Sequence, residues 1–424
     1  MRRLLPIGIS RPLAAGLVAA AAFVLVPTGA FAQSDNPIKV GYGISQTGGL
    51  APNGKSALLA QKIWEDDTNA SGGLLGRPVK LIYYDDQSNP AAVPGIYAKL
   101  FDVDKVDVII GGYATNMLAP AMPLVIQRNK LFIGLFGLAV NSEFKYSRYF
   151  SMVPNGPQPK SALTEGFFDA AMTQNPKPTT VAIVSADAEF SKNASDGARA
   201  NASAAGLRIV YDKTYPPNAT DFAPIVRAIQ TTNPDLVVVC SYPPDSAGIV
   251  RAVSEIGFKP KMIGGAMVGL QATALKTQLG PLLNGFVNFD FWLPVPKMEF
   301  PGVSEFMKKY QTRAPAEGVD PLGYYLAPWA YAQLQVLGQA IQGTKSLADD
   351  RLADHIRSST FKTVVGDVKF GQYGEWAEGR VLQVQFQHIK GNDVGQFRDI
   401  STQVVVTPPE YKSGAMIYPY EKAQ

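Results

Sequence analysis

Short apolar segments alternate with helical patterns along most of the chain, and this alternation most constrains the fold. The segments are rich in β-branched residues and almost continuously apolar, as are parallel strands buried on both faces. The predicted strands span residues 38–44, 79–85, 106–112, 130–136, 180–185, 208–215, 235–240, 261–265 and 285–291. Helices are predicted between them, over residues 54–69, 90–103, 116–128, 160–174, 191–205, 221–231 and 245–256. The pattern predicts an α/β fold with helices on both faces of a parallel sheet.

The alternation falls into two series, one before about residue 155 and one after about residue 178. Residues 153–161 separate them and contain three prolines and a glycine, which suits a crossover between two lobes. A chain of 424 residues also exceeds the usual size of one domain. Later in the chain, helices are predicted over 321–342 and 347–358. Strict alternation over 381–388 predicts a half-exposed antiparallel strand, with Gln383, Gln385 and Gln387 on its solvent face.

The N-terminus has the pattern of a secretory signal peptide. Residues 1–12 carry three arginines, residues 13–26 form an apolar run, and Ala30 and Ala32 supply small residues at a cleavage site. Cleavage is predicted after Ala32, and the sequence leaves open whether export uses the general or the twin-arginine route. The apolar run is too short to span a bilayer, so no membrane insertion is expected. These arginines account for most of the net charge of +4, so the rest of the chain offers no basic surface for nucleic acid.

Candidate catalytic and cofactor motifs are weak throughout the sequence. Residues 49–56 match a phosphate-binding loop, but Pro52 removes one of the backbone N–H groups that such a loop needs. Cys240 is the only cysteine and ends an apolar run, which predicts a buried, unreactive strand residue. His355 and His388 lack the spacing of metal ligands. We therefore expect no metal and no cofactor.

A polar loop follows the predicted strand over residues 106–112. It consists of Tyr113, Ala114, Thr115 and Asn116, and a helical pattern follows it. Thr115 or Asn116 is predicted to cap that helix. The free N–H groups at the start of the helix would face the carboxyl edge of the sheet, where open α/β sheets bind ligands. The sequence predicts either a carboxylate site here or a capped helix without a ligand.

Residues 38–90 carry a resemblance to a known family. They contain the turn after the first strand, the pattern Asn-Ala-x-Gly-Gly-x-x-Gly-Arg-Pro from Asn69 to Pro78, and the Asp85–Asp86 strand end that precedes Pro90. The segments 106–112 and 119–125 continue the match. The chain resembles the leucine/isoleucine/valine-binding type of periplasmic solute-binding protein, which serves ABC importers.

This resemblance implies a type I periplasmic binding protein fold, in which two Rossmann-like lobes are joined by three crossover strands and close on a ligand by hinge motion. Lobe one would comprise residues 33–154 and 288–368, and lobe two residues 155–287 and 369–424. The resemblance implies a periplasmic monomer that binds a small molecule and presents it to an ABC permease. The ligand-binding positions that it implies are Gln46, Thr47, Tyr113, Ala114, Thr115, Asn116, Phe136, Gly137, Leu138, Phe190, Tyr242, Ala266 and Met267.

The sequence departs from this family near Ala266, where amino-acid binders carry an acidic residue that pairs with the ligand ammonium. Either Asp187 or Glu189 supplies that charge, or the ligand has no α-ammonium group. We therefore expect a binding protein for a branched-chain or other apolar amino acid, with aromatic or aliphatic carboxylic acids as the alternative. A ligand-sensing receptor domain of the same fold is a further alternative. A secreted enzyme would need a convergent nucleophile and base, and the sequence offers neither.

Overall fold

The computed structural model describes residues 36–424, so the predicted signal peptide lies outside the described residues. The first five strands form one sheet in which all neighbours are parallel, in the order β2-β1-β3-β4-β5. Their bounds are β1 Ile38–Ile44, β2 Val79–Asp85, β3 Val108–Tyr113, β4 Phe132–Phe136 and β5 Tyr149–Ser151. The strands β1, β3 and β4 are almost completely buried, as expected for central parallel strands covered on both faces.

Nine further strands form a second sheet and a hairpin. Their bounds are β6 Thr180–Ala186, β7 Arg208–Tyr215, β8 Leu236–Ser241, β9 Met262–Met267, β10 Val287–Asp290, β11 Thr360–Thr363, β12 Gly366–Lys369, β13 Leu382–Phe386 and β14 Gln403–Thr407. The hairpin pairs β11 with β12. The other seven strands form a sheet in the order β14-β13-β10-β9-β8-β6-β7, with β13 antiparallel to both of its neighbours.

Helices cover both sheets. Their bounds are α1 Ala51–Ala70, α2 Val93–Asp102, α3 Thr115–Leu118, α4 Met122–Gln127, α5 Asn141–Phe144, α6 Pro159–Met172, α7 Glu189–Ala204, α8 Ala223–Gln230, α9 Pro243–Ile256, α10 Thr273–Leu279, α11 Val303–Glu317, α12 Ala327–Thr344 and α13 Asp349–Ser358. The predicted α/β fold is therefore confirmed. The helices α5, α10 and α11 and the strands β5, β11, β12 and β14 were not predicted from the sequence.

The chain returns from the second sheet to the first after β10. Gln333 of α12 is fully buried, and its Nε2 donates hydrogen bonds of 2.8 Å to the carbonyl oxygens of Gly111 in β3 and Ile133 in β4. Gln61 of α1 donates a hydrogen bond of 3.0 Å to the same side chain. The helix α12 thus covers the first sheet although it follows five strands of the second, β6 to β10, in sequence. The exact lobe boundaries remain a prediction.

The antiparallel strand β13 is confirmed, but its predicted exposure is wrong. Gln383, Gln385 and Gln387 are all buried, because the C-terminal segment and α6 cover the face that was expected to meet solvent. The Gln385 side chain donates a hydrogen bond to the Ile417 carbonyl and accepts one from the Ile417 N–H. Buried amides keep their hydrogen bonds through such pairings, so glutamine is compatible with an interior strand.

The residues that match a phosphate-binding loop form the first turns of α1 instead. The helix begins at Ala51, three residues before the glycine expected to start it, and the Gly54 N–H donates to the Leu50 carbonyl. The Ser56 hydroxyl shares a hydrogen bond of 2.7 Å with the Tyr310 hydroxyl in the interior. Lys55 is exposed. No loop of free N–H groups is available there to hold a phosphate.

Cys240 is fully buried in β8, as predicted, and burial raises the pKa of its thiol. The strand end at Asp85–Asp86 is only partly solvated, because Asp86 is buried and accepts a hydrogen bond from the Ser45 hydroxyl. Across residues 36–424 no group of His, Cys, Asp and Glu side chains is arranged to hold a metal ion. The same residues contain no helix with the length and apolar character needed to cross a membrane.

Candidate functional site

A small cavity lies where the carboxyl ends of β3 and β4 face the second sheet. Its volume is about 30 Å³, which is room for about two water molecules. Seven of its thirteen lining residues are aromatic, and the set is Tyr113, Ala114, Thr115, Phe136, Leu138, Val153, Leu163, Phe190, Tyr242, Val268, Phe289, Phe291 and Tyr325. Seven of the positions that the sequence singled out are among them.

The corner between β3 and α3 is built on an unusual backbone. Ala114 has a φ of 84°, and its N–H donates to the Phe136 carbonyl of the neighbouring strand at 3.0 Å. Ala114, not Thr115 or Asn116, is the N-cap of α3, and no side chain caps the helix, so the capping prediction is wrong. The left-handed turn lets Thr115 begin the helix with its side chain free for another contact.

Thr115 joins the two loops of the first sheet that reach the cavity. It is buried, and its Oγ1 accepts a hydrogen bond of 2.9 Å from the Leu138 N–H. Two weaker contacts connect these loops to α7 beside the second sheet. Asn116 Oδ1 accepts from the Phe190 N–H at 3.3 Å, and Asn193 Nδ2 donates to the Leu138 carbonyl at 3.2 Å. The cavity is therefore closed by direct polar contacts between the two halves of the site.

The cavity walls consist mainly of aromatic rings that contact one another. On the first sheet's side, the Phe136 ring lies 4.9 Å from that of Phe291 and 5.5 Å from that of Tyr325. On the second sheet's side, the Phe190 and Tyr242 ring centroids are 5.4 Å apart. Such edge and tilted arrangements are favourable and exclude water. The geometry suits a flat or apolar ligand body held between rings.

Three tyrosine hydroxyls provide polarity without charge. Burial raises the pKa of Tyr113 to about 12 and holds those of Tyr242 and Tyr325 well above their ordinary value, so all three stay protonated at neutral pH. The Tyr113 oxygen accepts a hydrogen bond of 2.9 Å from Asn53 Nδ2. The Tyr242 hydroxyl is buried and forms no hydrogen bond within residues 36–424, although the Asn116 N–H faces it closely enough to oppose part of its pKa shift. A ligand oxygen could satisfy that hydroxyl.

No acidic side chain lines this cavity. Asp187 forms an ion pair with Lys192 at 2.5 Å, and Glu189 is exposed at the start of α7. The nearest acid along β10 is Asp290, whose Oδ1 accepts the Phe291 N–H. Burial raises the pKa of Asp290 to about 6. Neither acid that the sequence offered as an ammonium partner is positioned on the cavity wall.

The remaining positions singled out from the sequence lie around the cavity. The N–H groups of Gln46 and Thr47 donate to Asp85 Oδ1 at 2.8 and 3.2 Å, which fixes that loop outside the lining. Ala266 and Met267 are fully buried within β9, and Val268 reaches the cavity instead. Asn116 does not line the cavity, and its Oδ1 accepts the hydrogen bond from the Phe190 N–H. Gly137 lines a neighbouring cavity, described below.

Sequence reasoning missed five lining residues: Val153, Leu163, Val268, Phe289 and Tyr325. Tyr325 lies just before α12 in the chain. Phe291 packs against Phe289 while it lines the cavity. The aromatic residues at the end of β10 were the one signal in the sequence that could have indicated Phe289. No local signal indicates Tyr325, because the return of the chain to the first sheet brings that residue to the site.

Comparison with known proteins bears on what such a site serves. Among curated proteins, Leu/Ile/Val-binding protein homolog 8 of Brucella suis is 24% identical over 384 residues, which cover 88% of this chain and 93% of that protein. Leu/Ile/Val-binding protein homolog 2 of Brucella abortus is 24% identical over 358 residues, covering 84% and 91% respectively.

Solved structures share the fold. The branched-chain amino acid transporter substrate-binding protein of Streptococcus pneumoniae, in complex with isoleucine, aligns with a TM-score of 0.71 and 18% identity over 88% of this chain and 100% of that one. A solute-binding protein of R. palustris, in complex with 4-hydroxybenzoate, aligns with a TM-score of 0.71 and 18% identity over 84% and 94%. The family model described as periplasmic binding protein matches residues 37–390. Because that match spans most of the chain, this protein belongs to the periplasmic binding protein family.

Proposed function

We propose that this protein captures a small carboxylic acid that has an apolar or aromatic body and no ammonium group, and delivers it to an ABC permease from the periplasm after signal-peptide removal. The observation that carries the proposal is the chemistry of the cavity wall, which is mainly aromatic and contains no acid. The fold accommodates both classes of ligand, since its neighbours include complexes with isoleucine and with 4-hydroxybenzoate. The lining of this chain favours the second class.

The ligand carboxylate would bind at the start of α3. Thr115 Oγ1 already accepts a hydrogen bond from Leu138, so its own proton is free to be donated. The N–H groups of Thr115 and Asn116 have no carbonyl partner within the described residues and lie in the first turn of the helix. Hydrogen bonds to a charged group are worth about 1.5–3 kcal/mol each, so two or three of them anchor a carboxylate firmly.

An α-ammonium group would be unfavourable in this cavity. A buried ammonium without a carboxylate partner loses its hydration and gains little from neutral tyrosine hydroxyls. The missing charge-assisted hydrogen bond alone costs about 1.5–3 kcal/mol, or about ten- to a hundredfold in affinity. The aromatic rings instead suit a ring or an alkyl chain, which they would enclose on both sides.

Binding requires the two halves of the site to separate. The cavity of about 30 Å³ is far smaller than the roughly 300 Å³ or more of a typical ligand pocket. The Asn116–Phe190 and Leu138–Asn193 contacts both join the loops of the first sheet to α7, and both are long hydrogen bonds. Hinge opening would break them, and closure around a ligand would restore them, which would create the closed form that a permease recognises.

The test is a thermal-shift panel on purified protein that has been unfolded and refolded to remove carried ligand. Each amino acid is paired with its analogue that lacks the amino group: phenylalanine with 3-phenylpropanoate, leucine with 4-methylpentanoate, and 4-hydroxybenzoate is added as a ring acid. A true ligand at a hundred times its Kd stabilises the protein by about 2.7 kcal/mol. We expect stabilisation by at least one acid and a weaker response to its amino acid partner. A response to leucine or phenylalanine alone, or to no compound, would refute the proposal.

A further inference from the structure

A second cavity lies next to the first and is more than ten times larger, with a volume of about 360 Å³. It opens to the surface and is bordered by the loop after β4, by the connection from β5 to α6, and by the loop that contains Tyr373 and Glu375. This volume falls within the range of small-molecule pockets. The carboxylate site described above does not use it.

Asn155 contributes a buried polar side chain to the lining of this cavity. The residue is only 4% exposed and lines the cavity, yet its buried Oδ1 atom accepts no hydrogen bond within the described residues. Its backbone N–H is used, by a bond of 2.8 Å to the Val153 carbonyl. Buried amide side chains are ordinarily hydrogen-bonded, and an orphaned one is costly. An amide offers both a donor and an acceptor, so a ligand with matching groups would satisfy it.

Two opposite charges flank the same space. Lys145 and Glu375 both line the cavity, and neither forms an ion pair with any residue in the described part of the chain. One Glu375 oxygen accepts the Tyr373 N–H at 2.8 Å, which fixes the carboxylate at the wall. The cavity thus presents a cation, on the exposed Lys145, and an anion, on the half-buried Glu375, that do not pair with each other.

The remaining wall is apolar. Val140 and Val153 line one part of the cavity, and Pro157 and Pro159 line another. Tyr149 lines the cavity as well. An aliphatic or aromatic group of the ligand would displace water from these surfaces. The polar groups of the ligand would interact with Asn155, Lys145 and Glu375.

We propose that this cavity is a second ligand site that takes a small zwitterion of amino-acid size, with its carboxylate toward Lys145, its ammonium toward Glu375 and a polar atom on Asn155. The proposed carboxylate site lacks an acid, whereas this one has Glu375 to receive an ammonium. The two sites therefore differ in the charge of the ligand they accept.

The two sites share structural elements. Val153 lines both cavities. The loop after β4 presents Leu138 to the first cavity and Ala139 and Val140 to the second. Because Leu138 also carries the hydrogen bonds to Thr115 and Asn193, a ligand that shifts this loop alters the contacts that close the first site. Occupancy of either site is expected to change the affinity of the other by the same factor.

The experiment is isothermal titration of leucine and of phenylalanine into the purified, refolded protein, alone and saturated with the acid that stabilises it best. We expect one saturable site per chain that persists when the acid is bound. Glu375→Gln, which keeps an acceptor for Tyr373, should weaken this binding at least tenfold, as should Asn155→Leu. Two control variants should leave it within twofold: Glu378→Gln, an exposed glutamate three residues away that does not line the cavity, and Tyr242→Phe in the first site.

Two outcomes would overturn the inference. One is the absence of amino-acid binding at millimolar concentration in a protein that still unfolds cooperatively. The other is binding that Tyr242→Phe or the bound acid abolishes while Glu375→Gln leaves it intact, because the amino acid would then occupy the first site. That second result would also refute the proposed acid specificity. If no acid binds, the titration of the refolded protein and its Glu375→Gln variant still tests the second site on its own.

Discussion

The Oγ1 atom of Thr115 accepts a hydrogen bond of 2.9 Å from the backbone N–H of Leu138, across 23 positions of sequence. This bond fixes the loop after β3 against the loop after β4, and it determines the hydroxyl's orientation. With its oxygen occupied as an acceptor, the hydroxyl has its proton left to donate. The Leu138 carbonyl in turn accepts a hydrogen bond from Asn193 Nδ2 of α7. The Thr115–Leu138 bond therefore connects the corner proposed to bind the carboxylate with a contact that closes the site.

Thr115→Val removes both roles of this hydroxyl. It leaves the buried Leu138 N–H without an acceptor, and we expect the free energy of unfolding to fall by about 1–3 kcal/mol. Affinity for the best acid of the ligand panel should fall about ten- to a hundredfold, as measured by isothermal titration. Thr115→Ser keeps the hydroxyl and should retain most of the affinity. Equal losses in the two variants would show that the hydroxyl does not hold the ligand.

Tyr242→Phe separates binding from stability. The Tyr242 hydroxyl is buried and forms no hydrogen bond among residues 36–424, so its removal relieves an unsatisfied group. Urea unfolding without ligand should show equal or higher stability for the variant. In the presence of the acid, its stabilisation should be smaller, because the ligand loses a hydrogen-bond donor. A variant that binds the acid as tightly as the parent would place the ligand away from this hydroxyl.

Gly54 is required by packing and not by phosphate binding. A Cβ at this position would lie 1.9 Å from the Ser45 carbonyl oxygen, which is part of the backbone. Gly54→Ala should therefore destabilise the protein by about 3 kcal/mol or more in urea unfolding. Gly95 lies within α2 with nothing inside 4 Å of its Cβ position, so Gly95→Ala is the matched control. It should stabilise by about 0.5–1 kcal/mol, and a similar cost at both positions would contradict this reading.

The strands were predictable from sequence because burial on both faces imposes β-branched, apolar runs. The predicted bounds of β1, β2 and β7 agree with the structure. The glutamine face of β13 was misread, because the segment that covers it lies about thirty residues further along the chain and alternation alone cannot reveal it. Local sequence likewise located the corner at Thr115, whereas Tyr325 and Phe289 reach the cavity through the order in which strands and helices assemble.

Gln385 tests the importance of that buried face. Its side chain pairs with both the N–H and the carbonyl of Ile417, and its oxygen also accepts from Gln387. Gln385→Leu would leave these partners unsatisfied in the interior, at a cost of about 2–4 kcal/mol in the free energy of unfolding. Gln278→Leu, at an exposed glutamine of α10, should change it by less than about 0.5 kcal/mol. A small effect at Gln385 would mean that water replaces the lost partner.

Asp245 should make stability depend on pH in a specific direction. Burial raises its pKa to about 6, although the Tyr215 hydroxyl donates a hydrogen bond of 3.2 Å to its Oδ2 and opposes that shift. Between an unfolded-state pKa near 3.9 and about 6, the folded state holds the proton and the unfolded state does not. Stability from this group is therefore present at low pH and is lost as pH rises through about 6.

Asp245→Asn removes the titration and keeps an acceptor for Tyr215. We expect the variant to gain about 2 kcal/mol relative to the parent between pH 4 and pH 7, as measured by urea unfolding at each pH. Subtracting one profile from the other cancels carboxyls common to both proteins, including Asp290, whose pKa burial also raises to about 6. A difference that stays constant with pH would show that Asp245 ionises as freely in the folded chain as in the unfolded one.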